Sequence, residues 1–235
     1  MGRRRTSARK GRDEGEKPFW ISYADLMTAL MVLFLVVMAV AVLAIGGAEG
    51  RHRRQIDACL DKARAVALEH GQGVVIDKER RVIDFGSQVL FAFNSAALTP
   101  LQESVLRTFV PRLLEVARAE VCSPVFKRVV VDGYTDKTGM YLANLHLSLM
   151  RSESVLCALF RQGDTAPLSP SQMADVRDMF MVGGFAFNAS KDTAAASRRV
   201  EMRIEFWGVR EKPETQPAAA TLPDAAAPSP GFGKC

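Results

Sequence analysis

The sequence predicts a single N-terminal transmembrane helix followed by an α/β domain of the α+β sandwich kind, a sheet with helices packed on it. Three observations predict this. Leu26 to Ile45 carries no charged residue. Beyond it, β-branched runs such as VVVDG alternate with amphipathic runs of helical period. The intervals between those runs are short and marked by Gly, Pro and Asp.

The span comes first. Leu26–Ile45 would be about 30 Å long as a helix, the thickness of a hydrocarbon core. A cleaved signal peptide also begins with a basic stretch and an apolar run. This run is longer than a signal peptide's apolar region, and an acid, Asp25, stands at its start, so an uncleaved span at 18–46 is expected. The net charge of +5 does not indicate nucleic-acid binding, because the excess flanks the span and so reads as contact with the lipid bilayer. Arg3, Arg4, Arg5, Arg9, Lys10, Arg12 and Lys17 precede it, while Arg51, Arg53, Arg54, Lys62 and Arg64 follow. The larger first cluster places the N-terminus in the cytoplasm and the domain in the periplasm of an inner membrane.

Residues 1–17 read as a basic cytoplasmic tail and 47–72 as a connecting helix, with Ile56, Cys59, Leu60, Ala63, Val66 and Ala67 at helical spacing. The domain proper is expected over 73–210. GVVID and RVIDF form two short strands around the charged turn Asp77-Lys78-Glu79-Arg80. Thr99, Pro100 and Gln102 open a helix through a capping box, its buried stripe being Leu101, Val105, Phe109, Leu113 and Val116 with a bend at Pro111. VFKRVVVDGY is a strand, YLANLHLSLMRSESVLCALFRQ a helix ended by Gly163, and SQMADVRDMF a shorter helix. VEMRIEFW alternates Val200, Met202, Ile204 and Phe206 against polar neighbours, as a half-buried strand does. The Pro- and Ala-rich tail at 211–235 lacks periodicity and is read as disordered.

A charged acid costs roughly 2.5–3.5 kcal/mol at the centre of a membrane helix, and less at the edge of the hydrocarbon, where it reaches back to headgroup water. Ser22, Asp25, Thr28 and Ala29 fall at i, i+3, i+6 and i+7, one small and polar stripe on an apolar helix. Such a stripe asks for a protein partner, since lipid supplies no hydrogen bonds. Desolvated there, Asp25 is suited to alternate between protonated and ionised states.

The stretch WISYADLMTALMVLFLVVM resembles the ion-carrying B subunit of flagellar stator units, MotB, and its relatives. The resemblance implies that Asp25 carries the coupling ion, with Ser22, Tyr23 and Thr28 along the ion path. It also implies a homodimer of this chain inside a ring of a MotA-like multi-span subunit. The ion is expected to be H+; Na+ would need further oxygens, such as those of Ser22 or Thr28.

In the second half, Thr135 and Asp136 follow a strand, and Asn144, Leu147, Ser148 and Arg151 lie on the next helix. A carboxylate and a guanidinium brought together there would hold a zwitterion, although spacing alone favours an ordinary surface ion pair. Gly133-Tyr134-Thr135-Asp136, Gly139, Asn144, Leu147-Ser148, Arg151 and Ser197-Arg198-Arg199-Val200-Glu201 resemble the OmpA-like peptidoglycan-binding domain, as does FNSAALTP. Tyr134 stands where that pattern has His, and Ser197 where it has Asn. By this resemblance Asp136 and Arg151 grip the diaminopimelate of a peptidoglycan stem peptide, and Thr135, Asn144 and Leu147 shape the site. Arg198 and Arg199 either help shape the pocket or serve the framework.

The four cysteines show no CxxC pair and no zinc-ligand spacing. With this fold, Cys122 before a strand and Cys157 near the end of the returning helix are expected to form a disulfide in the periplasm. Cys59 would then be left to pair across a dimer. No cofactor or enzyme activity is expected: there is no nucleophile–base pair or phosphate loop, and His52, His70 and His146 are scattered.

Together these features describe a peptidoglycan-anchored B subunit of an ion-driven inner-membrane motor. The short connection between span and domain resembles the MotB-like component of the Zorya anti-phage defence system more than a flagellar stator. A purely structural peptidoglycan tether is the alternative from another class.

Overall fold

A computed structural model describes residues 17–69, 71, 73–161, 167–209 and 211. The tails expected at 1–17 and 211–235 lie outside the described residues except for Lys17 and Glu211. Helix α1 covers Lys17–Glu69. Its residues up to Gly50 belong to one compact unit and those from Arg51 onward to a second.

In the first unit, Tyr23–Leu43 is long and apolar enough to cross a membrane, with a mean hydropathy of 3.0. Its side chains have no protein covering, so every large apolar group from Leu26 to Leu43 is exposed. An all-round apolar helix without a protein core is stable only in lipid or against partners.

The second unit is built on a five-stranded sheet. In chain order its strands are β1 (Val75–Asp77), β2 (Val82–Asp84), β3 (Phe126–Gly133), β4 (Phe180–Gly184) and β5 (Val200–Phe206). They lie side by side as β1-β2-β5-β3-β4; β3 and β4 are parallel and the other pairs antiparallel. A parallel neighbour requires a crossover, supplied by α3 (Tyr141–Phe160) and α4 (Pro170–Met179). Strand β4 was not expected from the sequence. It follows α4 without an intervening turn, so no breaker marks where helix becomes strand.

Helix α2 (Pro100–Arg118) begins with the expected capping box: Gln102 N donates to Thr99 Oγ1 at 3.3 Å, and Thr99 N to Gln102 Oε1 at 2.8 Å. Pro111 lies inside it and the helix runs on. Its buried stripe differs from expectation at the first turn. Leu101 is 76% exposed, while Leu106, Phe109, Val110, Leu113 and Leu114 are buried. Leu98 before the helix and Val105 on its second turn pack against the core in this region, while Leu101 stands on the open side.

The core joins α2 and the inner face of the sheet to α1. Ile56, Cys59, Leu60, Ala63 and Ala67 of α1 pack with Phe85, Phe109, Met202 and Ile204. Phe85 and Phe109 meet edge to face at 5.5 Å between centroids. Full burial of each large apolar side chain contributes about 1.5–3 kcal/mol. The segment expected as a connector is therefore part of the domain's core from Arg51 onward. His52 Nε2 donates to the Trp207 carbonyl at 2.8 Å and Gln55 to that of Val121 at 3.3 Å, which fixes the near end of this stem.

The disulfide expected between Cys122 and Cys157 is not the one formed. Cys122 bonds Cys59, with Cα atoms 5.0 Å apart. Cys122 lies in the turn between α2 and β3, where the docked stem passes. A strand and its returning helix would pair Cys122 with Cys157, but this third element brings Cys59 within reach first. Cys59 is likewise used within one chain and not across a dimer.

The other face of the sheet is a lattice of charges. Arg203 grips Asp132 with Nε at 2.8 Å and Nη2 at 3.3 Å, and Glu205 bridges Arg203 and Arg128. Glu201 is fully buried between Arg80 at 2.9 Å and Arg199 at 2.8 Å. Burial pushes the Asp132 carboxyl above its ordinary value, with Arg203 offsetting part of the rise.

Candidate functional site

The site forms where β3 ends against α3. A Cβ on Gly133 would lie 2.0 Å from the Ser148 carbonyl oxygen, so only glycine lets the strand approach the helix this closely. The next two amides are anchored, Tyr134 N on Arg199 O at 3.0 Å and Thr135 N on Ala186 O at 2.8 Å. The turn beyond uses Gly139 at φ 95° and is held by Asn144, whose Nδ2 donates to Thr138 O at 2.8 Å and Met140 O at 3.2 Å. On α3, Asn144, Ser148, Arg151 and Ser152 form one buried polar face towards the strand end.

These elements enclose a cleft of about 40 Å³ lined by Phe93, Asn94, Thr135, Asp136, Thr138, Asn144, Leu147 and Arg151. All five residues predicted from the sequence thus line one cleft. Phe93, Asn94 and Thr138 were missed, although FNSAALTP had marked the first two as part of a motif. Phe93 is 64% exposed on the rim and Asn94 adopts φ 51°.

Arg151 is completely buried. Its Nε donates to Ser95 O at 2.9 Å, Nη1 to Tyr134 O at 2.7 Å and Nη2 to Ala92 O at 3.2 Å, with the guanidinium 5.1 Å over the Phe91 ring. Each guanidinium carries five N–H groups, so two remain for a ligand. Burial and then the neighbouring Arg198 push its pKa down to about 10, which still leaves it charged at neutral pH.

Asp136 pairs with Arg198 rather than with Arg151. Its Oδ2 accepts from Arg198 Nη1 at 3.0 Å and its Oδ1 from the Thr138 amide at 2.9 Å. Burial opposes ionisation, yet the Thr138 amide and the Arg198 guanidinium outweigh it and hold the carboxyl below its ordinary value. Thr135 is buried with its Oγ1 unpartnered, an orphan hydroxyl in the wall of the cleft. The cleft therefore gathers a carboxylate, a buried guanidinium and a buried hydroxyl without a partner, the kinds of group that pair with the two ends of a small zwitterion.

The two departures in the motif prove structural. Tyr134 does not line the cleft: its ring stacks on Phe185 at 5.5 Å and lies 4.2 Å from the Arg199 guanidinium. Burial, then Glu201 and Asp132, push its hydroxyl up to about 12, so it stays protonated. Ser197 is buried and ties its own loop, accepting from Lys191 N at 2.9 Å and donating to Thr193 O at 2.8 Å.

In the apolar unit, Asp25 is exposed on α1 and shares a shallow groove with Leu26, Ala29, Leu30 and Leu33. Thr28 Oγ1 donates to the Asp25 carbonyl at 2.9 Å, and Tyr23 is 52% exposed. Ser22 is helical, with its side chain outside the described set. Among the described residues no group of His, Cys, Asp and Glu is placed to hold a metal ion.

Comparison with known proteins adds identity to this geometry. Residues 3–45 match the family model for the membrane MotB of the proton-channel complex MotA/MotB, and residues 90–199 match the OmpA family. Zorya protein ZorB of Escherichia coli O139:H28 is 40% identical over 209 residues, covering 85% of each chain. The chain belongs to the ZorB family. This ZorB-family chain is also 29% identical over 161 residues to the probable lipoprotein YiaD of E. coli K12, covering 68% of this chain and 66% of that one. Among solved structures, a putative MotB-like protein from Desulfovibrio vulgaris matches with a TM-score of 0.44 at 22% identity, covering 67% of this chain and 96% of that one. The periplasmic domain of Helicobacter pylori MotB gives 0.42 at 16% identity, covering 60% and 83%. A ZorB-family chain thus combines a MotB-like membrane helix with an OmpA-family α/β domain.

Proposed function

We propose that this chain is the peptidoglycan-anchored B subunit of an ion-driven inner-membrane motor of the MotA/MotB kind, acting in Zorya anti-phage defence. The observation that carries the reading is the joining, in one ZorB-family chain, of an apolar helix bearing Asp25 to a domain whose cleft gathers Asp136, Arg151 and Thr135. The N-terminus lies in the cytoplasm and the domain in the periplasm, where the Cys59–Cys122 disulfide is at home. Two copies stand inside a ring of a MotA-like multi-span subunit, and the cleft holds the diaminopimelate of the cell wall. Asp25 takes up the coupling ion, H+, from one side and releases it to the other. Each charge crossing delivers about 2.3 kcal/mol per 100 mV, enough to drive a conformational step in the ring. The wall anchor supplies the fixed point against which the ring moves.

Asp25→Asn in the full chain, co-expressed with the MotA-like subunit, tests this. The variant is expected to assemble with its partner yet lose both phage protection and proton flux in proteoliposomes. Full protection by Asp25→Asn would leave only a passive wall tether. Flux supported by a Na+ gradient and not by a proton gradient would reassign the ion.

A further inference from the structure

The cleft contains a charge relationship that its lining residues do not exhaust. Arg198, in the turn before β5, donates from Nε to the Phe91 carbonyl at 3.0 Å and from Nη1 to Asp136 Oδ2 at 3.0 Å. It bridges the rim loop 91–95 to the carboxylate. Arg151 holds the same loop from the other side, through Ala92 and Ser95. The neighbouring Arg199, though adjacent in sequence, points to Glu201 and the Ala189 carbonyl on the far side of the sheet and belongs to the framework.

We propose that Arg198 is the positioning residue of the cleft: it orients the Asp136 carboxylate and keeps it ionised for a ligand ammonium group, while setting the rim loop that carries Phe93. The proposal rests on the wall-binding reading above. A ligand ammonium binds the ionised carboxylate, and each carboxylate oxygen retains a lone pair beyond the one already used. Without Arg198, Asp136 would keep its burial and lose its adjacent cation. Its carboxyl would then rise, and ammonium binding would fail at a higher pH.

The charged groups facing Asp136 are few. Arg198 approaches from the turn before β5 and Arg151 from α3, while Lys137 follows it on its own loop and is exposed. The rim loop 91–95 has no ionisable side chain. The loop after β4, which receives the Thr135 amide at Ala186, carries Lys191 and Asp192, and Lys191 is engaged with Asp84. A shift of the acid limb on removing Arg198 is therefore attributable to Asp136.

The test uses the full chain in detergent and a soluble muropeptide containing diaminopimelate, with affinity measured from pH 7.5 to about pH 2.5. In the wild type the acid limb should lie below the ordinary Asp value of about 3.9. Arg198→Gln should bind about tenfold more weakly at pH 7.5, with its acid limb moved above that of the wild type. Arg198→Lys keeps the charge but cannot make both bonds with one ammonium. It should keep the wild-type limb and lose affinity. A pH profile for Arg198→Gln that parallels the wild type would overturn the proposal, as would wild-type affinity in Arg198→Lys. If the wild type fails to bind the muropeptide, or Asp136→Asn binds it as well as the wild type, the wall-binding reading itself is wrong.

Discussion

Cys59 on α1 and Cys122 in the turn before β3 are joined across 63 residues of sequence. The bond fastens the part of α1 that belongs to the α/β unit to the start of the strand whose other end, Gly133, leads into Thr135 and Asp136. Load applied to α1 has a covalent route to the strand that carries the cleft. It need not pass through the three-residue edge strand β1.

Opening that bond should be costly. For a closed loop of 63 residues, restriction of the unfolded chain alone is worth about 4 kcal/mol. The double substitution Cys59→Ala and Cys122→Ala should lower the thermal midpoint of the domain by well over 5 °C in the detergent-solubilised chain. An unchanged midpoint would show that core packing of Ile56, Leu60 and Ala63 holds the stem by itself.

The orphan hydroxyl of Thr135 gives a prediction of opposite signs. A buried unpaired polar group costs roughly 1–3 kcal/mol, and Val has nearly the shape of Thr. Thr135→Val should leave the free domain as stable as the wild type or more stable by about 1 kcal/mol. Retention on peptidoglycan sacculi should nonetheless fall several-fold, because the ligand atom then has no hydroxyl to meet. Loss of both stability and retention would mark Thr135 as an ordinary core residue.

Gly133 tests the geometry behind the cleft. With the Ser148 carbonyl 2.0 Å from a modest added methyl, Gly133→Ala must push β3 and α3 apart. The expected cost is about 3 kcal/mol, at the upper end for overpacking. Denaturant unfolding of the detergent-solubilised chain measures it. A stable Gly133→Ala that still bound sacculi would mean that the close approach is dispensable.

Much of the site was legible because its signals are local. Thr99 and Gln102 cap α2 through a spacing of three, and the alternation of Val200, Met202, Ile204 and Phe206 states which face of β5 is buried. Thr135, Asp136, Asn144, Leu147 and Arg151 could be named together because they match the motif of the OmpA-like domain, and a strand end followed by a helix is able to bring such positions to one side. Strand β4 escaped because nothing separates it from α4, and Leu101 was misassigned because period alone does not say which turns of a helix the rest of the fold covers.

What the sequence by itself determined, then, is the apolar span with Asp25 at its start and the order of the elements other than β4, each a matter of hydropathy, period or spacing within a few turns of chain. Five of the residues around the cleft were implied by the resemblance to the OmpA-like domain. Only the tertiary structure decided that Cys122 bonds Cys59, that the stem belongs to the core, and that Asp136 pairs with Arg198 while Arg151 holds the rim loop. Those pairings join residues some sixty positions apart. Their distances depend on how helices and sheet pack, and spacing along the chain carries no record of that.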